Sequence, residues 1–372
     1  MLQHKTKRNA FKTLVHKLAT AGCMGSILTG SLLIGSTAAQ ASVTSAVLDE
    51  QAGFQSVTWT NDTVLVSGTH GSVYLSHDNG KNFTRLNLPM GTEALQFRDN
   101  QWFEDGHIVV MSAGEGEQSR LYYSASKGND WQLVKQGEHE HVFFDCMSFT
   151  RGGEGWLYGD SDDEGLYILH TQNAGKDWSR KALPFNAAPS EGGFASSGTC
   201  ITANETLVAA GTGNSGKPAL LLKKGQQDWQ RISSLFEGGE AAGMFSLQVS
   251  ENTLYAFGGS LKHEQPATAF TFDLAESVWQ ALPTPPLNGA IYGSALYFSA
   301  SHKAIPSILI SNPQGVFALS PKTKQWQKVS ESNIWSLACK ADEGCIGVGK
   351  GGVVEKYSHE LLSVGQLCFP LN

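Results

Sequence analysis

Two carboxylates are placed to move a proton or hold a cation. Asp160 ends a short apolar run, 155-GWLYGD-160, and Glu191 opens the glycine-rich run 191-EGGFASSGT-199. Each lies beside what reads as an inner strand of one of two neighbouring units, which would bring both to one face of the molecule. Paired carboxylates are the minimum for glycosidic-bond hydrolysis, one as general acid and the other as base or nucleophile. Asp160, Asp162 and Glu164 before Gly165 also have the D-x-D-x-E-G spacing of a calcium loop. The twelfth position, however, is Thr171 instead of Glu, and strands flank it where helices belong. A solvated acidic hairpin is the better account. In Glu138-His139-Glu140-His141 the period-two rule puts both imidazoles on one strand face without a third ligand. No metal is assigned. The absence of a C-x-x-C pair, a phosphate-loop lysine or an evident Ser-His-Asp set leaves no cofactor to expect.

The elements that would position these groups emerge from a repeat. Phe83, Trp131, Trp178, Trp229, Trp279 and Trp326 recur at gaps of 48, 47, 51, 50 and 47 residues. A period just under fifty residues matches one four-stranded propeller blade. Within each unit, apolar runs of strand length alternate with Gly, Asn and Asp turns. The fourth unit, for example, reads 193-GFASSGTCITA-203, 206-TLVAAGTG-213, 219-ALLLKKG-225 and 229-WQRIS-233. The pattern predicts an all-β, seven-bladed β-propeller over 42–372 with no helix. The expected blades are 52–89, 91–136, 139–184, 190–235, 239–283, 288–330 and 332–364. The last unit is one strand short. Residues 43–50 belong to no other blade and are expected to close the ring as its missing outer strand, since an open edge invites aggregation.

The turn before the fourth strand carries a resemblance. Ser76, Asp78, Gly80 and Phe83 fit the Asp-box pattern S-x-D-x-G-x-x-W/F. Trp131 and Trp178 end two variants of it, with Ser126 and Asn173 in the Asp position. Such boxes occur in sialidases, sortilin-type receptors and photosystem II assembly-factor-like propellers, where they look structural. Farther on, Gly159-Asp160, Glu191 with Phe194-Ala195-Ser196-Ser197-Gly198-Thr199, Gly243-Met244-Phe245-Ser246 and Gly258-Gly259 occur in order. That order resembles exported bacterial BNR-type, photosystem II assembly/stability-factor-like repeat proteins. The chain departs from their pattern at Ser161, Gly192 and Ser260. The resemblance implies a binding or assembly scaffold.

Charge and leader narrow the setting. Lys5, Lys7, Arg8, Lys12 and Lys17 precede an apolar stretch from Ala21 to Ile34 and an Ala39-Gln40-Ala41 site. Residues 1–41 read as a signal peptide, so the protein is expected in the periplasm or outside the cell. Beyond it, 22 basic residues face 34 acidic ones, a net charge of −12. This argues against nucleic acid and anionic membranes. Export favours disulfides. Cys339 and Cys345 flank a five-residue turn and are expected to bond, with Cys146–Cys200 as a second pair and Cys368 left over. A sialidase is excluded: no Arg follows Arg231, so three blades cannot feed an arginine triad. The favoured reading is a monomeric, non-catalytic scaffold for an envelope protein or saccharide. The alternative is a carboxylate-dependent glycoside hydrolase using Asp160 and Glu191.

Overall fold

The computed structural model describes residues 41–363 except 263 and 301; the leader residues 1–40 and Cys368 lie outside the described residues. Among the described residues the strands form seven four-stranded antiparallel sheets, six of them from consecutive strands. The inner strands are Phe54–Thr60, Phe97–Trp102, Phe144–Phe149, Ile201–Ala203, Ala242–Ser250, Gly293–Ser299 and Ile334–Lys340. Blade 7 takes its outer strand from Val43–Val47, which pairs antiparallel with Val353–Tyr357. Against the all-strand expectation, a five-residue helix, His359–Ser363, packs Leu361 and Leu362 beneath blades 6 and 7.

The core lies between blades. Val109, Met111 and Tyr123 of blade 2 pack on Phe144, Leu157, Tyr167 and Trp178 of blade 3 in one fully shielded cluster. Two of the fourth-strand tryptophans also tie blade to blade through their indole N–H groups. Trp279 donates to Ser233 O at 2.9 Å, and Trp326 to Pro283 O at 2.8 Å. Packing explains the regular spacing of these residues: an aromatic there fills the wedge between sheets.

The Asp-box turn is a self-contained hydrogen-bond device. Asp78 Oδ1 accepts from the Lys81 and Asn82 backbone N–H groups at 3.0 and 2.9 Å and from Ser76 Oγ at 2.7 Å. Ser76 Oγ in turn accepts from Gly80 N, where the backbone turns through a φ of +75°. Partial burial opposes ionisation of Asp78, but Asn82 and Ser76 outweigh it and hold the pKa at about 2. In the second box Ser126 replaces the aspartate, and Asp130 supplies the carboxylate from four residues on, accepting from Ser124 Oγ at 2.8 Å. Asn173 fills the role in the third, accepting from Asp177 N at 3.2 Å. These turns join third strands to fourth, whereas the carboxylates Asp160 and Glu191 lie at the other ends of the strands.

Two disulfides are present. Cys146–Cys200 joins the inner strand of blade 3 to the residue just before the inner strand of blade 4, and Cys339–Cys345 links directly opposed residues of one hairpin in blade 7.

Blade 4 departs from the expected pattern. Its inner strand was expected over 193–203 but spans only Ile201–Ala203. The preceding segment, 192–199, leaves the blade and crosses the centre of the ring. Arg98 of blade 2 donates to Ala195 O at 3.0 Å. From the opposite side, Ser197 Oγ donates to Tyr292 O at 2.5 Å, and Ser336 Oγ of blade 7 to Ser197 O at 3.4 Å. Three glycines and small Ala and Ser side chains let this backbone pass where an alternating strand would collide with the inner strands. The F-A-S-S-G-T run is therefore a plug.

Candidate functional site: an acidic face and an aromatic channel mouth

Five inner strands carry the same irregularity. Pairing with the second strand slips by one residue at Gln55, Arg98, Asp145, Phe245 and Trp335. A bulge re-aims the extra residue away from the sheet. All five side chains line one cavity of about 420 Å³ at the mouth of the channel, together with Phe143, Phe194 and Tyr292. Phe194 of the plug stacks face to face on Phe245, with centroids 3.6 Å apart and planes 4° from parallel. The mouth thus combines aromatic rings with a buried charge set.

That charge set centres on Asp145 and Asp160. Asp145 is 2% exposed, and its Oδ2 accepts from Gly193 N at 3.1 Å. Burial, and then the neighbouring Asp160, push its pKa well above the carboxylate range; Arg98 opposes this only in part. Burial likewise raises Asp160 to about 6. Burial thus disfavours the charged form of both carboxyls, and at Asp145 the neighbouring Asp160 adds to it. At the next residue after Arg98, burial raises Asp99 to about 8, although Met147 N, Asn100 N and Ser56 Oγ all donate to it. Tyr158 is fully buried beside the pair, and its hydroxyl has no hydrogen-bond partner.

The structure separates the residues singled out by sequence. Asp160 and Glu191 do border the same depression, and Ser161 N donates to Glu191 O at 2.9 Å. Glu191, however, is fully buried and held by both Arg231 guanidinium nitrogens at 2.9 and 2.5 Å. The carboxylate electrostatically coupled to Asp160 is Asp145, not Glu191. Asp145 was readable as a lone charge in 142-VFFDCMSF-149, but its re-aiming by a bulge was not. The calcium spacing does not form a cradle. Asp162 is bridged by Arg180 at 2.5 and 2.6 Å, and Glu164 also turns to Arg180, so a guanidinium supplies the positive charge. Among the described residues no three His, Cys, Asp or Glu side chains are grouped to hold a metal ion.

Outside the mouth, and sharing Phe143, Asp160 and Asn214 with it, lies a broader open depression of about 1180 Å³ spanning blades 2 to 5. Its rim is acidic. Asp162 and Glu191 are paired as above, and Glu240 contacts Lys262. Glu115, Glu140 and Asp163 are exposed, and among the described residues none forms an ion pair with Lys or Arg. Arg98 points into the mouth, and its cation is taken up by Gln96 Oε1 and Ala195 O.

This architecture defines the chain as a seven-bladed β-propeller with a plugged channel and an acidic face. No protein-family model matches it, and no curated protein matches it in sequence. Solved propellers do match in fold. YCF48 from Cyanidioschyzon merolae superposes with a TM-score of 0.63 at 11% identity, covering 86% of this chain and 100% of that one. A YCF48 bound to a D1 peptide gives 0.59 at 11% identity, with 85% and 96% covered. An ancestral GH74 enzyme gives 0.54 at 14% identity, with 86% of this chain and 53% of that one covered.

Proposed function

We propose that this protein is an exported, non-catalytic binding or assembly scaffold that presents its acidic face to a positively charged segment of an envelope protein. The acidic depression carries the reading. Its unpaired rim carboxylates and adjoining aromatic mouth complement a basic, extended chain and repel an anionic one. The match to a YCF48 bound to a peptide supports a protein segment over a saccharide as the occupant. The leader at 1–41 supports export. Fluorescence anisotropy with a labelled Lys-Gly repeat peptide and its Glu-Gly counterpart tests the proposal. The basic peptide binds, weakens as salt rises, and loses affinity in a Glu115→Gln, Glu140→Gln, Asp163→Asn variant. Equal binding of both peptides, or of neither, refutes it.

One observation favours a second reading. Asp145 and Asp160 form a buried carboxylate pair with raised pKa values, the arrangement that a carboxylate-dependent glycoside hydrolase needs for its general acid. Hydrolysis of any member of a chromogenic glycoside panel by the wild type, lost in Asp145→Asn/Asp160→Asn, would replace the scaffold with an enzyme.

A further inference from the structure

The junction that closes the ring is packed differently from the others. Elsewhere an aliphatic side chain at one blade's outer edge shares a cluster with the next blade's tryptophan, as Leu86 does with Trp131, Ile232 with Trp279 and Leu282 with Trp326. Where blade 7 meets blade 1, the outer strand Val43–Val47 turns Thr44 and Ala46 toward the first Asp-box turn. Leu48 reaches the cluster around Phe83 only from beyond the strand's end. Small side chains on one wall, and a Phe where the later blades carry Trp, leave a cavity of about 340 Å³ between the closing strand and that turn.

The cavity has an apolar floor and a cationic rim. Ile346 and Val354, both buried, supply the floor. Lys356 stands directly opposite Thr44 in the closing pair and lines the wall. Among the described residues its ammonium forms no ion pair. It donates to Asn79 O at 3.4 Å and lies 5.0 Å from the centre of the Trp59 ring. Burial lowers its pKa; Glu343 opposes this, while Lys81 and Lys340 add to it. The nearby acids are engaged elsewhere. Glu343 and Asp62 face Lys340 at 2.6 and 3.9 Å, and Asp78 is satisfied within its own turn. Lys81 lines the rim, exposed and, among the described residues, without an ion pair. The Thr44 hydroxyl likewise has no partner among them. A half-buried cation without a counterion calls for an anion.

The occupant must bring negative charge to the two lysines and an apolar body to the floor. A carboxylate on a short hydrocarbon chain meets both conditions. Inorganic phosphate has nothing to cover Ile346 and Val354, and a neutral amide leaves Lys356 without its counterion. A volume of about 340 Å³ lies within the range of roughly 300–1,000 Å³ that accommodates small ligands. We infer that the cavity at the closing junction binds a small aliphatic carboxylic acid, its carboxylate on Lys356 and Lys81 with Thr44 Oγ1 as a further donor, its chain against Ile346 and Val354. The site lies on the Asp-box side, at the opposite ends of the strands from the acidic depression, and does not rest on the scaffold reading. One wall is the closing strand itself, so a bound acid fastens Val43–Val47 to blade 1 and stabilises the ring.

Equilibrium dialysis with hexanoate, hexanamide and acetate tests the assignment at neutral pH. The wild type binds hexanoate at least about tenfold more tightly than hexanamide, which lacks the charge, and than acetate, which lacks the chain. Lys356→Gln weakens hexanoate about tenfold and leaves hexanamide unchanged; an unaltered melting temperature confirms that this variant folds. Ala46→Leu fills the cavity as the other junctions are filled and abolishes hexanoate binding. Hexanoate raises the melting temperature of the wild type but not that of Ala46→Leu. Equal affinity for hexanoate and either control, binding of none of the three, or hexanoate affinity unchanged in Lys356→Gln overturns the inference. Acetyl-Gly-Leu offers the same carboxylate at a chain end. Binding of this peptide at least as tight as that of hexanoate would give the site to a polypeptide terminus and overturn the free acid as its occupant.

Discussion

Gly192 and Asp160 occupy one another's space. A Cβ built on Gly192 would lie 1.7 Å from Asp160 Oδ1 and 2.7 Å from its Cγ. The neighbouring Gly193 is confined too, though less tightly, its Cβ position lying 2.9 Å from Asp145 Oδ2. Two consecutive residues without side chains allow the plug to press against both buried carboxylates.

Replacing Gly192 by Ala is therefore expected to destabilise the protein by about 1–3 kcal/mol through overpacking. Gly192 does not adopt a positive φ, so the penalty is steric. Asp160 must swing away to make room, separating the acid pair. Urea denaturation measures the loss, and a midpoint equal to that of the wild type would refute the contact.

Stability should rise as pH falls from about 8.5 toward 5. The folded-state pKa values of Asp99, Asp145 and Asp160 stand above the unfolded value of about 3.9, so the folded protein binds more protons in this window. Their contribution is complete below about pH 4 and is lost as pH rises through about 6 for Asp160 and about 8 for Asp99. Asp78 acts with the opposite sign: its stabilisation is present above about pH 4 and is lost as pH falls through about 2. Melting curves at steps between pH 3 and 9 should show a maximum at about 4. A curve that climbs steadily from 5 to 8.5 would contradict the burial of these acids.

The two disulfides should differ in worth. Cys146–Cys200 closes a loop across a sequence separation of 54 and joins two blades, whereas Cys339–Cys345 spans 6 within one hairpin. Loop entropy gives about 4 kcal/mol for the first and about 2 kcal/mol for the second. Thermal melts of Cys146→Ser/Cys200→Ser against Cys339→Ser/Cys345→Ser should rank in that order. Equal melting temperatures would mean that the inter-blade link adds nothing to ring stability.

Removal of residues 43–50 should weaken the whole ring. The deletion exposes the Val353–Tyr357 edge and uncovers Val348 and Val354 at the junction with blade 1. A truncated protein that melts with the parent would show the closing strand to be dispensable.

Much of the fold is legible because it is local. The spacing of Trp178, Trp229 and Trp279 fixes the blade length, and Ser76-x-Asp78-x-Gly80 encodes a turn that needs only its own atoms. The site is less legible because ring curvature creates it. Gln55, Arg98 and Asp145 each stand one place after a buried Phe that opens an inner strand, a shared position that the sequence does show. Only the register slip at each position shows that they converge. The plug defeats strand patterning for the same reason, since Phe194 and Ala195 are buried by blades distant in sequence. Glu191 looked available because Arg231, its partner, lies forty residues downstream.

The ring's seam sets an order of events. Ser42 N donates to Ser358 Oγ across 316 positions of sequence, and the strand that follows is the first blade segment to be synthesised. It has no partner until the final blade exists. The earliest-made strand must wait, unpaired, for the latest-made one, and contacts so far apart in sequence form slowly. A chain interrupted anywhere before blade 7 remains an open arc with both end blades unsealed. Completion of the circle thus makes the first blade segment's pairing conditional on the last blade.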